Sequence, residues 1–162
     1  MPTMKKLRSV LPDANATEHA GRAIAGTLSP GMIVTLSGDL GAGKTTLARG
    51  VLRGLGWAGP VKSPSYALVE HYPFSNLYLY HFDFYRFEDV REWDDAGFAE
   101  AFRCDTVCLV EWPERVAGRL PPADLAITLS PSHDGDDGRV LVAVAHTDSG
   151  LRCLNALANA TS

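Results

Sequence analysis

Residues 38–45 read Gly38-Asp39-Leu40-Gly41-Ala42-Gly43-Lys44-Thr45, which matches G-x-x-x-x-G-K-[S/T] at every fixed position. No other stretch of the chain constrains its fold as tightly. The pattern works only when an apolar strand leads into it and a helix leads out. Both flanks fit: "MIVTLSG" at 32–38 is a short β-branched apolar run, and residues 44–55 carry a helical pattern that stops near Gly54 and Gly56. The glycines allow a backbone turn in which successive N–H groups face inward toward phosphate oxygens. The helix start adds its positive dipole end. The run Gly38, Asp39, Leu40, Gly41, Ala42, Gly43, Lys44, Thr45 and Thr46 is the expected nucleotide cradle. Lys44 is placed to reach the β- and γ-phosphates, and the Thr45 hydroxyl to bind Mg²⁺.

A magnesium–phosphate site of this kind draws a carboxylate from the end of a neighbouring apolar strand. Two are available. Asp83 ends "LYLYHFDF" and Glu111 ends "TVCLVEW". An unpaired carboxylate at the end of so apolar a run is costly unless water, a partner or a cation meets it. Adjacent strands would bring both acids to one edge of a sheet. His81 alternates onto the face of Asp83, where it either orients that acid or a water, or packs as a core histidine. Arg86 is read as a structural salt bridge, with phosphate neutralisation as the alternative. The loop "KSPSY" (62–66) supplies Ser63 and Ser65 hydroxyls on a chain stiffened by Pro64. It is either a switch-like loop near a γ-phosphate or plain turn chemistry. Arg139 either reaches a phosphate or braces a hairpin.

The remaining pattern predicts a short edge strand at 5–10. A helix follows through "PDANATEHAGRAIAGTL", capped by Asn15 with Glu18 three residues on. A hairpin from "YALVEHY" to "LYLYHFDFY", short helices within 88–102, a helical turn at "ERVAGRL", a second hairpin around the polar turn 132–138 and a helix over 149–160 complete the chain. Strands mixed with helices, some joined as hairpins, give an α/β fold: a single P-loop NTPase-like domain over 1–162, with a mixed central sheet flanked by helices.

Composition excludes several other classes. With 162 residues, 46% hydrophobic and 21% charged, the chain has the make-up of an ordinary globular domain. A formal net charge of −4 announces no basic face for gripping nucleic acid directly. Three cysteines, with Cys104 and Cys108 as a lone C-x3-C, fit reduced thiols better than a disulfide framework or a zinc site. No signal-peptide run or membrane-length apolar stretch occurs, so a cytoplasmic location without membrane association is expected.

Taken in order and spacing, "GDLGAGKTT", "VKSPSY", "HFDFYR" and "LVEWPE" resemble the bacterial TsaE (YjeE) family, over about Leu11 to Val144. That family comprises the small P-loop ATPases of tRNA N6-threonylcarbamoyladenosine (t6A) biosynthesis. The resemblance implies binding of ATP with Mg²⁺, Thr45 and Glu111 at the magnesium positions, and Asp83 as an acid needed for hydrolysis. Ser63-Pro64-Ser65-Tyr66 matches the family's S-P-T-[FY] switch loop, with Ser65 in place of the usual threonine. Trp112 falls at a position close to the nucleotide and Glu114 at one near the base. It further implies TsaD-like and TsaB-like partners, with tRNA reached only through that complex. The residues alone reach no further than Mg²⁺-dependent nucleotide binding and hydrolysis. A small-molecule kinase and a non-catalytic nucleotide-sensing module stay open, although Arg86, Arg91, Arg103, Arg115, Arg119 and Arg139 are too scattered for a kinase lid.

Overall fold

The computed structural model describes residues 5–132 and 137–162. Its backbone is a seven-stranded sheet in the order β1-β7-β6-β2-β5-β4-β3. The strands are β1 Lys5–Leu11, β2 Ile33–Ser37, β3 Val69–Pro73, β4 Tyr78–Asp83, β5 Thr106–Glu111, β6 Leu125–Pro131 and β7 Arg139–Ala145. The helices are α1 Ala14–Ala25, α2 Lys44–Gly54, α3 Arg91–Ala96 and α4 Asp148–Thr161, with 3-10 turns at Phe98–Ala101 and Pro113–Val116. β2 pairs in parallel with β5 and β6, and β4 in parallel with β5. The two expected hairpins, β3–β4 and β6–β7, are antiparallel, as is β1 on β7. The sheet is therefore mixed, and β1 is the edge strand expected at 5–10. The polar turn expected at 132–138 lies largely outside the described residues.

Alternation along the central strands separates two cores. Val34 and Leu36 of β2, Leu79 of β4, and Val107 and Leu109 of β5 pack with Ile24, Leu47, Leu52, Leu154 and Leu157 from α1, α2 and α4. The opposite residues, Ile33, Phe82, Cys108 and Val110, join Phe84, Phe87, Trp93 and Val116 in a second, aromatic cluster. Phe82 is buried between Phe84, Phe98 and Phe102, with ring centroids 5.4–5.5 Å away. Each such fully buried large side chain stabilises the fold by about 1.5–3 kcal/mol. Burial on both faces explains why β5 reads as an unbroken apolar run rather than an alternating one. Cys108, in that run, has its thiol pushed up to about 12 by burial, and all three cysteines are free thiols.

The cap of α1 differs from the expectation. Asp13, not Asn15, is the N-cap: its side chain accepts the Ala16 N–H at 2.8 Å. Asn15 lies inside the first turn. The register is shifted because Asp13, one residue after Pro12, is already extended at φ −152°, the backbone an N-cap needs. α1 and α2 then pack through glycines. A Cβ on Gly21 would lie 2.2 Å from the Leu47 carbonyl oxygen, and one on Gly50 2.1 Å from that of Glu18. The helix packed in this way starts at Lys44, which shares a cleft with Asp83 and Glu111 at the ends of β4 and β5.

Candidate nucleotide site

The turn after β2 needs its glycines. Gly38 sits at φ +144° with no room for a Cβ, which would come within 2.4 Å of the Leu129 carbonyl oxygen. Gly43 closes the turn at φ +102° and caps α2 without any side-chain hydrogen bond. The first N–H groups of α2 are thus not consumed by a cap and lie at the positive end of the helix dipole.

Parallel pairing places Asp83 of β4 directly beside Glu111 of β5. Residues 79, 81 and 83 share one face of β4, and 107, 109 and 111 share the same face of β5. His81, Asp83 and Glu111 therefore all project toward α2 and the glycine turn. Lys44, the first residue of α2, is only 5% exposed. Its Nζ donates to the carbonyls of Gly38 and Asp39 and stands 4.1 Å from the centroid of the Trp112 ring. Trp112 itself adopts φ +58°, a left-handed backbone rare for so bulky a residue. That strained turn directly after Glu111 swings the indole over the lysine.

Each acid is held differently. Asp83 accepts the Tyr85 N–H at 2.9 Å through Oδ1, while the Ser65 hydroxyl lies 3.5 Å from Oδ2. Ser65 in turn bonds Ser63 at 2.7 Å. Glu111 Oε2 lies 2.5 Å from Nε2 of the fully buried His81. Nδ1 has no partner among the described residues. The sequence left His81 open between orienting an acid and packing in the core. It is buried, and the acid it touches is Glu111 rather than Asp83.

Burial raises the Asp83 carboxyl above its ordinary range, and the neighbouring Glu111 charge adds to this. The Tyr85 N–H, His81 and Lys44 pull the other way. Burial likewise lowers the Lys44 ammonium, opposed by the charges of Glu111, Asp83, Glu114 and Asp39. Opposite charges thus meet in a poorly solvated space, where each is worth more to the other than in water.

These groups line a cleft of about 370 Å³, formed by Leu40 to Thr46, Ser63, Ser65, Asp83, Glu111 and Trp112, together with Ala14, Asp137 and Arg139. Gly38 and Asp39 meet Lys44 through their carbonyls without lining the cleft. Pro64 and Glu114 do not line it either. Tyr66, next to the two serines, is 84% exposed, and the Arg86 guanidinium stacks 4.3 Å over its ring. Arg86 therefore makes a cation–π contact, and the expected salt bridge is not found among the described residues. Arg139 comes to the cleft from β7, 97 residues beyond Ala42, whose carbonyl it binds. Ala14 and Asp137 were missed, since nothing local in the sequence marks a helix start or a strand entry as part of a site this remote.

The sheet order, the strand–glycine turn–helix unit and the acids at the carboxyl ends of its neighbours define a P-loop NTPase-like α/β domain. A family model for "Threonylcarbamoyl adenosine biosynthesis protein TsaE" matches residues 11–140. The tRNA threonylcarbamoyladenosine biosynthesis protein TsaE of Haemophilus influenzae is 39% identical over 161 residues, covering 96% of this chain and all of that protein. That of Bacillus subtilis is 39% identical over 142 residues, covering 88% and 87%. The crystal structure of Bacillus subtilis YdiB superposes with a TM-score of 0.73 at 31% identity, over 98% of this chain and 97% of that one. The chain belongs to the TsaE family.

Proposed function

We propose that this chain is the Mg²⁺-dependent ATP-binding and ATP-hydrolysing component of the t6A machinery and that it acts on a TsaB–TsaD-like pair. One observation carries the reading: Asp83 and Glu111 stand side by side on adjacent parallel strands, on the face that holds Lys44 and the glycine turn. The donors suit the ion. The Thr45 hydroxyl and the Glu111 carboxylate are hard oxygen ligands.

When bound, Mg²⁺ neutralises charge on the β- and γ-phosphates. The rest falls to the chain. The loop amides and the start of α2 receive the phosphates, and Lys44 exchanges its carbonyl partners for a phosphate oxygen. Thr45 and Glu111 would hold the metal, with Glu111 kept in orientation by His81. Asp83, within reach of Ser65, positions the attacking water. Phosphoryl transfer depends mainly on such placement and electrostatics. The family name supports the t6A assignment, and the net charge of −4 favours work on tRNA through partners over direct grip.

The test is ATP hydrolysis by the chain with and without a TsaB–TsaD pair, together with t6A content of tRNA after depletion. Lys44→Ala is expected to abolish tight nucleotide binding. Asp83→Ala and Glu111→Ala are expected to keep binding within about tenfold and to lose hydrolysis by roughly 10²-fold or more. An Asp83→Ala chain that turns over ATP at the wild-type rate in the assembled complex removes the role given to that acid. Phosphorylation of a metabolite would replace the reading with a kinase. Binding without turnover, partners included, would replace it with a docking module.

A further inference from the structure

The carbonyls of the glycine turn are held by two cations from different elements. Lys44 takes those of Gly38 and Asp39 from within the loop. Arg139 takes those of Gly41 and Ala42 from outside: Nε donates to the Ala42 carbonyl at 2.8 Å and Nη2 to the Gly41 carbonyl at 2.9 Å. Its Nη1 donates to the Gly138 carbonyl at 2.8 Å, which ties the guanidinium back to its own strand. In a trans peptide the C=O and the following N–H point in opposite directions within one rigid plane. Fixing the Gly41 carbonyl therefore fixes the Ala42 N–H, which donates to the Asp39 carbonyl at 3.0 Å. Fixing the Ala42 carbonyl fixes the Gly43 N–H, at the residue that starts α2.

We propose that Arg139 is a positioning residue that aims the Gly43 N–H at the ligand by clasping the Gly41 and Ala42 carbonyls from β7. The clasp needs a planar fork. One guanidinium can span two adjacent carbonyls, whereas an ammonium is a single point of charge. It also couples the β6–β7 hairpin to the loop, so the loop's shape depends on a strand far away in sequence. The consequence for affinity rests on the nucleotide-binding reading given above; the clasp itself does not.

Two measurements separate these. The first is the affinity for ADP and ATP, with Mg²⁺, of the wild-type chain, Arg139→Gln, Arg139→Lys and Arg139→Ala. Arg139→Gln is expected to weaken binding by about 10–100-fold, the loss of charge-assisted bonds to the loop. Arg139→Lys should recover part of that loss. Millimolar free guanidinium should restore Arg139→Ala toward wild type. The second is amide hydrogen exchange of the nucleotide-free chain. In Arg139→Gln it should quicken by about tenfold or more at Ala42, whose N–H is bonded within the loop, and stay unchanged in β2 and β5. Wild-type affinity and wild-type exchange in Arg139→Gln overturn the proposal. So does exchange that quickens evenly across the sheet, since that marks a merely structural residue. If Arg139→Gln does not fold, Arg139→Lys decides: wild-type affinity and exchange there overturn the fork. A wild-type chain that binds neither nucleotide sinks the nucleotide reading alone, and the exchange comparison still decides the clasp.

Discussion

Asp83 is kept in a place that disfavours its charge. Burial and the adjacent Glu111 raise its carboxyl, and the Tyr85 N–H, His81 and Lys44 only partly compensate. A carboxyl raised by folding favours the protonated form, so its ionised form costs stability above the folded value. That cost disappears as pH falls toward the ordinary 3.8. Asp83→Asn, which can still accept the Tyr85 N–H, is therefore expected to melt a few degrees higher than wild type at pH 7. The gain should shrink as pH falls into the carboxylate range, while hydrolysis is lost. Melting curves without nucleotide from pH 7 to pH 4 check this. A variant that is less stable at pH 7 would show that the bond to Tyr85 outweighs burial. Such an exchange of stability for a poised charge is common at functional sites.

At the level of elements, the contact between α1 and α2 sets where the loop and Lys44 stand. It depends on glycines that leave no space for a methyl group. Gly50→Ala would drive a Cβ against the Glu18 carbonyl oxygen at 2.1 Å, and backbone cannot yield as a side-chain tip can. A loss of about 1–3 kcal/mol is expected, or roughly 2–12 °C in Tm for a chain of this size. Gly26, at the end of α1, is the internal control. It has φ −67°, and a methyl group there would meet nothing nearer than the Ala23 carbonyl oxygen at 4.0 Å. Gly26→Ala should therefore be neutral or stabilise by about 0.4–1 kcal/mol. Thermal melts of the two variants side by side test the packing. Elements of this kind were largely legible in the sequence. β2, α2, β5 and both hairpins lie where periodicity placed them, because a buried strand or an amphipathic helix must show its period. The cap of α1 was misread because Asp13 and Asn15 are both good caps, and only the backbone of the entering chain chooses between them.

Across the whole molecule, the cleft joins residues from the starts of α1 and α2, the ends of β4 and β5, the 62–66 loop and the β6–β7 hairpin. A ligand that binds only this assembled cleft must stabilise the entire fold. At about 100 times its Kd, ADP or ATP with Mg²⁺ should add about 2.7 kcal/mol, which is roughly 5–11 °C in Tm. Lys44→Ala should show no such shift. A wild-type chain whose melting is indifferent to both nucleotides would contradict the proposed function at this scale. No helix among the described residues is long and apolar enough to cross a membrane.

The sequence by itself determined the glycine turn with Lys44 and Thr45, the two acids at strand ends and the α/β class. Each of these is written in local residue order, as a spacing or a period. Only the tertiary structure decided that Asp83 and Glu111 are register partners, that His81 serves Glu111, that Arg86 stacks on Tyr66, and that Arg139 holds the loop. Those are relations between strands far apart in the chain, and they exist only once hydrophobic burial and sheet pairing have fixed which strand lies beside which.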